Sequence, residues 1–151
     1  MSTVDSVGVF LGALQSGLVV SGNQFITVTR VVNSGDALTS FRVSGPNDFI
    51  GLRLAPGRGT PLTNSYFTQM DETVIAEIYH HDYVSATSGV NQSGASIAAV
   101  TRMVNDFKLT VSGATWAGNG MPPPKLLVET HPLALAQASR ATLEYRVRYL
   151  L

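Results

Sequence analysis

The chain contains no cysteine, which excludes disulfide frameworks, thiolate nucleophiles and zinc or iron–sulfur centres held by cysteine. This agrees with synthesis in a reducing cytoplasm, although many exported bacterial and viral proteins also lack cysteine. The 151 residues lie near the commonest size of a single domain and can bury one core without covalent cross-links. We therefore expect one domain that spans residues 1–151.

Charged residues are also scarce, at 13% of the chain, against about 25% in ordinary soluble domains. Fourteen Ser, fourteen Thr and fourteen Gly predict a neutral surface of short side chains. Such a surface loses little side-chain entropy and little ion hydration when another protein covers it. Eight of the ten cations are Arg, which is enriched in protein interfaces, whereas Lys is depleted there. The composition favours large protein–protein contacts, and a GC-rich coding sequence stays open as a second explanation.

The few charges are not clustered, and their formal sum is zero. The densest pair of cations is Arg146 and Arg148, which Val147 separates. Binding to nucleic acid needs several cations along one track, and binding to an anionic membrane surface needs a comparable basic cluster. We therefore expect neither nucleic acid nor a membrane as a partner.

Residues 7–20 are apolar apart from two positions, and Asp5 rather than a cation precedes them. A signal peptide needs a positive leading segment and a transmembrane helix needs about 20 apolar residues, so neither is predicted. The apolar residues recur at helical spacing, which predicts a short helix that begins at Asp5 or Ser6 and ends at Gly17. Two glycines weaken that helix, and a buried strand stays the alternative.

Most of the remaining chain has the pattern of short strands that end at Gly, Pro, Asn and Asp. The predicted strands of the first half are residues 24–32, 37–43, 49–54 and 72–84, and in the last of these a helical stripe is the alternative. Within residues 49–54, Ile50, Leu52 and Leu54 alternate with Gly51 and Arg53, which predicts one solvated face. The spacing of about ten residues is typical of a meander or a Greek key.

The second half mixes one helix with further strands. Residues 97–106 have apolar residues at helical spacing behind Ser96, which predicts a helix. In residues 107–111 and 141–151 apolar and polar residues alternate, which predicts two strands. Residues 118–124 predict an exposed loop of polyproline character. The last of these strands reaches the end of the sequence, so we expect it to be paired within a sheet. The complete pattern predicts a mostly β, single-domain antiparallel β-sandwich or barrel of jelly-roll or Greek-key type with one or two short helices.

The sequence contains one cluster of metal-ligating residue types, His80, His81 and Asp82. Neighbours in a strand point to opposite faces, so His80 and Asp82 share a side that His81 does not. The only other histidine is His131, and two ligands make a poor site without a third. We interpret the cluster as polar residues at the end of a strand and predict no metal and no cofactor.

Catalytic motifs are not apparent either. The chain has no G-x-S-x-G elbow, and the loop of residues 55–61 lacks the Lys of a phosphate-binding loop. The adjacent carboxylates of Asp71 and Glu72 are typical of a solvated turn. A Ser-His-Asp triad assembled from scattered positions stays open. We expect no catalytic residues and no enzyme activity.

Two classes of function remain. The first is a non-enzymatic structural subunit of a self-assembling particle, such as a small capsid, cement or decoration protein of a virus or phage virion, made in the host cytoplasm and bound to copies of itself and to other virion proteins. The second is a β-sandwich module that binds a ligand or carbohydrate, with Trp116, Tyr66 or Tyr83 as a stacking platform. For the first class, the candidate interface residues are Arg42, Arg53, Arg58, Trp116, Arg146 and Arg148.

Overall fold

The computed structural model describes residues 5–17, 26–31, 48–55, 60–61, 69–81, 93–114, 116, 121–134 and 138–150. Two helices and seven strands lie in these ranges. The helices are α1 (Ser6–Gly17) and α2 (Ser93–Gly113). The strands are β1 (Ile26–Arg30), β2 (Asp48–Leu54), β3 (Thr60–Pro61), β4 (Gln69–His81), β5 (Lys125–Glu129), β6 (Leu133–Ala134) and β7 (Ala138–Leu150).

The strands form one open sheet in the order β1-β2-β4-β7-β5, to which the two-residue strands β3 and β6 add beside β4 and β7. The long strands β4 and β7 pair antiparallel over their whole length and make the centre of the sheet. β1 lies parallel to β2, so the sheet is mixed where an antiparallel one was predicted. The structure confirms a mostly β chain with helices, and the described residues include no second sheet.

Both helices pack on one face of the sheet, which we call the helix face, and the hydrophobic core lies between them and β2, β4 and β7. Phe10 of α1 and Phe107 of α2 contact Tyr145 of β7 with ring centroids 5.7 and 5.9 Å apart. Trp116 packs on Phe10 at 4.9 Å and donates its indole N–H to the Val111 carbonyl at 2.9 Å. These ring contacts pack both helices against the same strand.

The N-terminal segment is a helix, and the alternative of a buried strand is wrong. Asp5 caps it by accepting a hydrogen bond from the Gly8 amide at 3.2 Å, which satisfies one of the amides that lack helical partners. A Cβ atom at Gly8 would meet the Asp5 carboxylate at 2.6 Å, so a larger residue at this position would force the capping side chain to shift. Arg30 at the end of β1 binds the same carboxylate and holds the pKa of Asp5 below its usual value.

The helix predicted at residues 97–106 is longer than expected, and the strand predicted at residues 107–111 is wrong. Residues 107–111 continue α2. Val100, Val104, Phe107 and Val111 recur every three or four residues and are buried, whereas Leu109 is 70% exposed. In a strand, Phe107, Leu109 and Val111 would all point to the same side. In a helix, Leu109 points away from the side that Phe107 and Val111 share, as observed.

The other predicted strands have mixed outcomes. The strand expected at residues 49–54 is confirmed as β2, and that at residues 141–151 is confirmed as β7 as far as Leu150. The strand expected at residues 24–32 is confirmed in its central part as β1. The strand interpretation of residues 72–84 is confirmed as far as His81. Residues 37–43 lie outside the described residues. In the expected loop, Pro122 and Pro123 are exposed, but Met121 is buried in the core.

Neither described helix is long and apolar enough to cross a membrane.

Candidate subunit interface

The sheet surface opposite the helices carries most of the charged side chains of the central strands. Because paired residues of neighbouring strands point to the same face, the register defines this surface, which we call the polar face. Its residues are Phe49, Gly51 and Arg53 of β2, Asp71, Thr73, Ile75, Glu77 and Tyr79 of β4, Arg140, Thr142, Glu144, Arg146 and Arg148 of β7, and Lys125 and Val128 of β5.

A buried ion pair lies at the β2–β4 side of the polar face. Arg53 Nε donates to Glu77 Oε1 at 3.2 Å, and only 13% and 2% of the two side chains are exposed. The Tyr79 hydroxyl donates to the other Glu77 oxygen at 2.6 Å. Burial and this hydrogen bond raise the pKa of Tyr79 to about 12, although a hydrogen bond from Arg140 acts in the opposite direction. These groups satisfy one another and leave little capacity for a ligand, and removal of one partner would leave an uncompensated charge in a largely buried site.

A second, more exposed pair lies at the end of the central strands. Arg148 of β7 faces Asp71 of β4, with 3.7 Å between Nε and the nearest carboxylate oxygen. At this distance the two groups attract each other without a hydrogen bond. Exposed pairs of this kind contribute about 0–1 kcal/mol. The Arg148 Nε atom is itself buried and has no hydrogen-bond acceptor, so Asp71 does not satisfy it.

Four charged groups of the polar face have no ion pair within the described part of the chain: Lys125, Arg140, Glu144 and Arg146. Of these, Arg140 is hydrogen-bonded to Tyr79. Lys125 of β5 lies directly opposite Arg146 of β7. Two like charges in such a cross-strand pair destabilise the sheet. The pair is therefore a local excess of positive charge that an additional carboxylate would relieve.

Beside these charges lies the outer strand of the sheet. β5 has no partner on its outer side among the described strands, and its pairing with β7 shifts by one residue between Leu126 and Val128. This bulge leaves Lys125 and Val128 on the polar face, while Glu129 points to the helix face and binds Lys108 of α2 at 3.1 Å. Large apolar side chains are exposed here: Leu127 at 45%, Val128 at 43% and, in β6, Leu133 at 56%.

The six candidate interface residues have different positions. Arg146 and Arg148 lie side by side on the polar face, as their alternation predicts. Arg53 lies on the same face, but its side chain is only 13% exposed and is paired with Glu77. Trp116 is 3% exposed and is covered by its own chain, so its ring offers no stacking platform. Arg42 and Arg58 lie outside the described residues, as do Tyr66 and Tyr83.

The histidine cluster lies at the end of β4. His80 pairs with Asp48 and Ser139 on the two neighbouring strands, and Asp82 lies outside the described residues. His131 is exposed beyond the end of β5. In the part of the chain that the structure describes, no three His, Cys, Asp or Glu side chains are grouped so that they could hold a metal ion.

Sequence reasoning missed Glu144, Lys125 and Val128 as parts of this surface. Glu144 was detectable, because it alternates with Arg146 on the same side of a clean strand. Lys125 and Val128 were not, because the bulge in β5 changes which side each residue faces.

No protein-family profile matches this chain, and no curated protein shows significant similarity to it.

Proposed function

We propose that the chain is a non-enzymatic structural subunit of a self-assembling particle, and that the particle is a virus or phage virion. In this proposal the subunit is a small capsid, cement or decoration component that binds copies of itself and other virion proteins. The proposal also includes the β-sandwich expected from the sequence, with its second sheet on the β2–β4 part of the polar face, where Ile75, Glu77 and Tyr79 are buried.

The observation that carries the proposal is the exposed apolar edge formed by β5 and β6. Leu127, Val128 and Leu133 are each about half exposed there. The outer side of β5 also presents backbone amides and carbonyls that no described strand pairs. An edge with both features is a template for association with another chain. Covering this edge removes apolar surface from water, which stabilises the contact by about 25 cal/mol per Å² of apolar area buried.

The composition supports the same conclusion. With twenty formal charges and a net charge of zero, repulsion between copies is weak. Short neutral side chains lower the cost of covering a surface, because they have few rotamers and no ion hydration to lose. A particle subunit gains from both properties, since it must bind many copies.

The mass of the purified protein in solution tests this proposal. Sedimentation velocity and native mass spectrometry from low to high micromolar concentration should show species that are multiples of 16.0 kDa. Electron microscopy of the source particle should then show density for repeated copies. A strictly monomeric protein at high micromolar concentration that binds a glycan would contradict the proposal and favour a carbohydrate-binding module.

A further inference from the structure

We infer that Lys125, Val128, Glu144 and Arg146, which we call the open patch, contact the same four residues of a second copy across a two-fold axis. The inference rests on the proposed function and specifies one of the contacts that assembly requires. In this arrangement the two sheets stack through their polar faces, with β7 of one copy antiparallel to β7 of the other.

The first reason is that the polar face is buried at β4 and exposed at β5. Along one row of paired residues, exposure rises from 6% at Ile75 of β4, through a partly exposed Glu144 of β7, to 43% at Val128 of β5. Both described helices pack on the opposite face. The open patch is thus the part of this face with room for another chain, and Val128 gives it an apolar centre.

The second reason is that its charges are complementary to themselves. Glu144 and Arg146 lie two residues apart on one face, a separation of about 7 Å along the strand. A two-fold axis that passes between them, at the level of Tyr145, places Glu144 of each copy over Arg146 of the other. Stacked sheets lie about 10 Å apart, a distance that a Glu and an Arg side chain span together.

The third reason is that the contact supplies what each chain lacks. Lys125 and Arg146 are adjacent cations without an ion pair in the described part of the chain, and Glu144 is an anion without one. The incoming Glu144 would lie between the two cations and relieve their repulsion. Because the contact is isologous, each pair of opposite charges occurs twice, so its contribution to the free energy of association is doubled.

Charge reversal in single and mixed samples tests the inference. Glu144→Arg and Arg146→Glu each place like charges opposite each other at both ends of the contact. We expect each single variant to raise the dissociation constant of the self-contact by at least about 100-fold, since like charges in an interface cost several kcal/mol. An equimolar mixture of the two variants should associate again, because every pair in the mixed dimer is then of opposite sign. The double variant should associate by itself for the same reason.

Native mass spectrometry separates these species by mass, and far-ultraviolet circular dichroism confirms that each variant is folded. Arg102→Glu is the matched control, because Arg102 is exposed on α2, away from the polar face, and the change in net charge is the same as in Arg146→Glu. It should assemble as the parent does. If a reversal variant does not fold, Glu144→Gln and Arg146→Gln replace it and should each weaken association.

Two outcomes would overturn the inference, and they differ in what else they overturn. If the parent assembles and the folded single variants assemble equally well, the open patch is not the contact, while the proposed function stands. If the parent protein is strictly monomeric, the proposed function fails together with the inference. Restored association in the mixture supports an isologous contact specifically, since a contact between two different surfaces would not give this reciprocal rescue.

Discussion

The two faces of the central sheet are built from the same strands but are stabilised by different interactions. On the helix face, Leu143, Tyr145 and Val147 alternate inward and pack against aromatic and aliphatic side chains of both helices. On the polar face, Glu77 is as completely buried, but an arginine and a tyrosine hydrogen-bond its carboxylate. Strand alternation assigns residues to a face, and the partners available there decide which residue types can be buried.

The comparison shows that the two faces respond to substitution in different ways. Burial of apolar groups is non-directional, so the helix face depends mainly on volume and packing. The buried ion pair depends on geometry and on the presence of both partners, because a single charge left alone in the interior is costly. Four experiments test this difference between the faces, and their expected effects decrease from the first to the last.

Deletion of residues 146–151 should abolish cooperative folding, because it removes material from both faces at once. The segment contains the buried Val147 and makes five residue pairs with β4, from Gln69 to Thr73. We expect a loss comparable to the whole stability of a domain, about 5–15 kcal/mol. The single substitution Arg148→Gln leaves the strand in place and should melt close to the parent. Thermal denaturation followed by circular dichroism distinguishes the two, and a truncated chain with a parent-like melting temperature would contradict the position of β7.

Substitution of Glu77 tests the polar face alone. Glu77→Gln leaves Arg53 without a counter-charge in a buried site, and we expect a loss of about 3–5 kcal/mol. Asp71→Asn removes the same charge from a more exposed pair and should cost about 0–1 kcal/mol. Urea denaturation measures both. Equal costs for the two variants would mean that the Arg53–Glu77 pair is not buried as the structure describes.

Two positions of α2 test the assignment of the helix face. Val111→Ala should cost about 2 kcal/mol, because Val111 is 3% exposed, whereas Leu109→Ala should cost less than about 0.5 kcal/mol, because Leu109 is 70% exposed. A strand at residues 107–111 would point both side chains to the same side and make the costs similar. Urea denaturation of the two variants distinguishes a helix from a strand at residues 107–111. Phe107→Leu is a conservative control, because leucine keeps most of the buried volume.

The smallest effect is the titration of two tyrosines, one on each face. Burial raises the pKa of both Tyr79 and Tyr145 to about 12, from an ordinary value of 10.0. The folded protein therefore retains these two protons above pH 10, where the unfolded chain loses them. The stability they contribute is complete below pH 10 and is lost as the pH rises through about 12.

Absorbance at 295 nm follows this ionisation directly. Tyr79→Phe and Tyr145→Phe should each remove one of the late-ionising phenols and leave the other. Full ionisation of all five tyrosines near pH 10 in the folded protein would contradict the burial of both rings.

The sequence predicts those parts of the structure that depend on short spacings. The alternation in β2 and β7 and the helical stripe of α1 are local patterns, and each led to the observed element. Residues 107–111 are predicted to form a strand because apolar residues occupy every second position. Phe107 and Val111, four residues apart, also fit a helix, and only the burial of Val100 and Val104 on the same helical stripe distinguishes the two. The parallel pairing of β1 with β2 was not predictable, because it depends on contacts between segments far apart in the chain.

The candidate interface shows the same limit. Arg146 and Arg148 were chosen from their alternation, and they do lie on one face. Trp116 was chosen for its residue type, and the structure buries it against Phe10, a contact that no local pattern reveals. Arg53 was chosen as an interface cation, but its partner Glu77 lies 24 residues away on the next strand of the sheet.

The one-residue shift in β5 gives the outer strand two independent halves. Without this shift, Lys125 and Glu129 would lie on the same side of the strand, and both charges would face the same surface of the sheet. With it, Glu129 joins the strand to α2, and Lys125 belongs to the opposite surface. The part of β5 that attaches the strand to its own domain is thus separated from the part that faces outward. Substitutions at Lys125 and Val128 can therefore change what the protein contacts without changing how the strand is held.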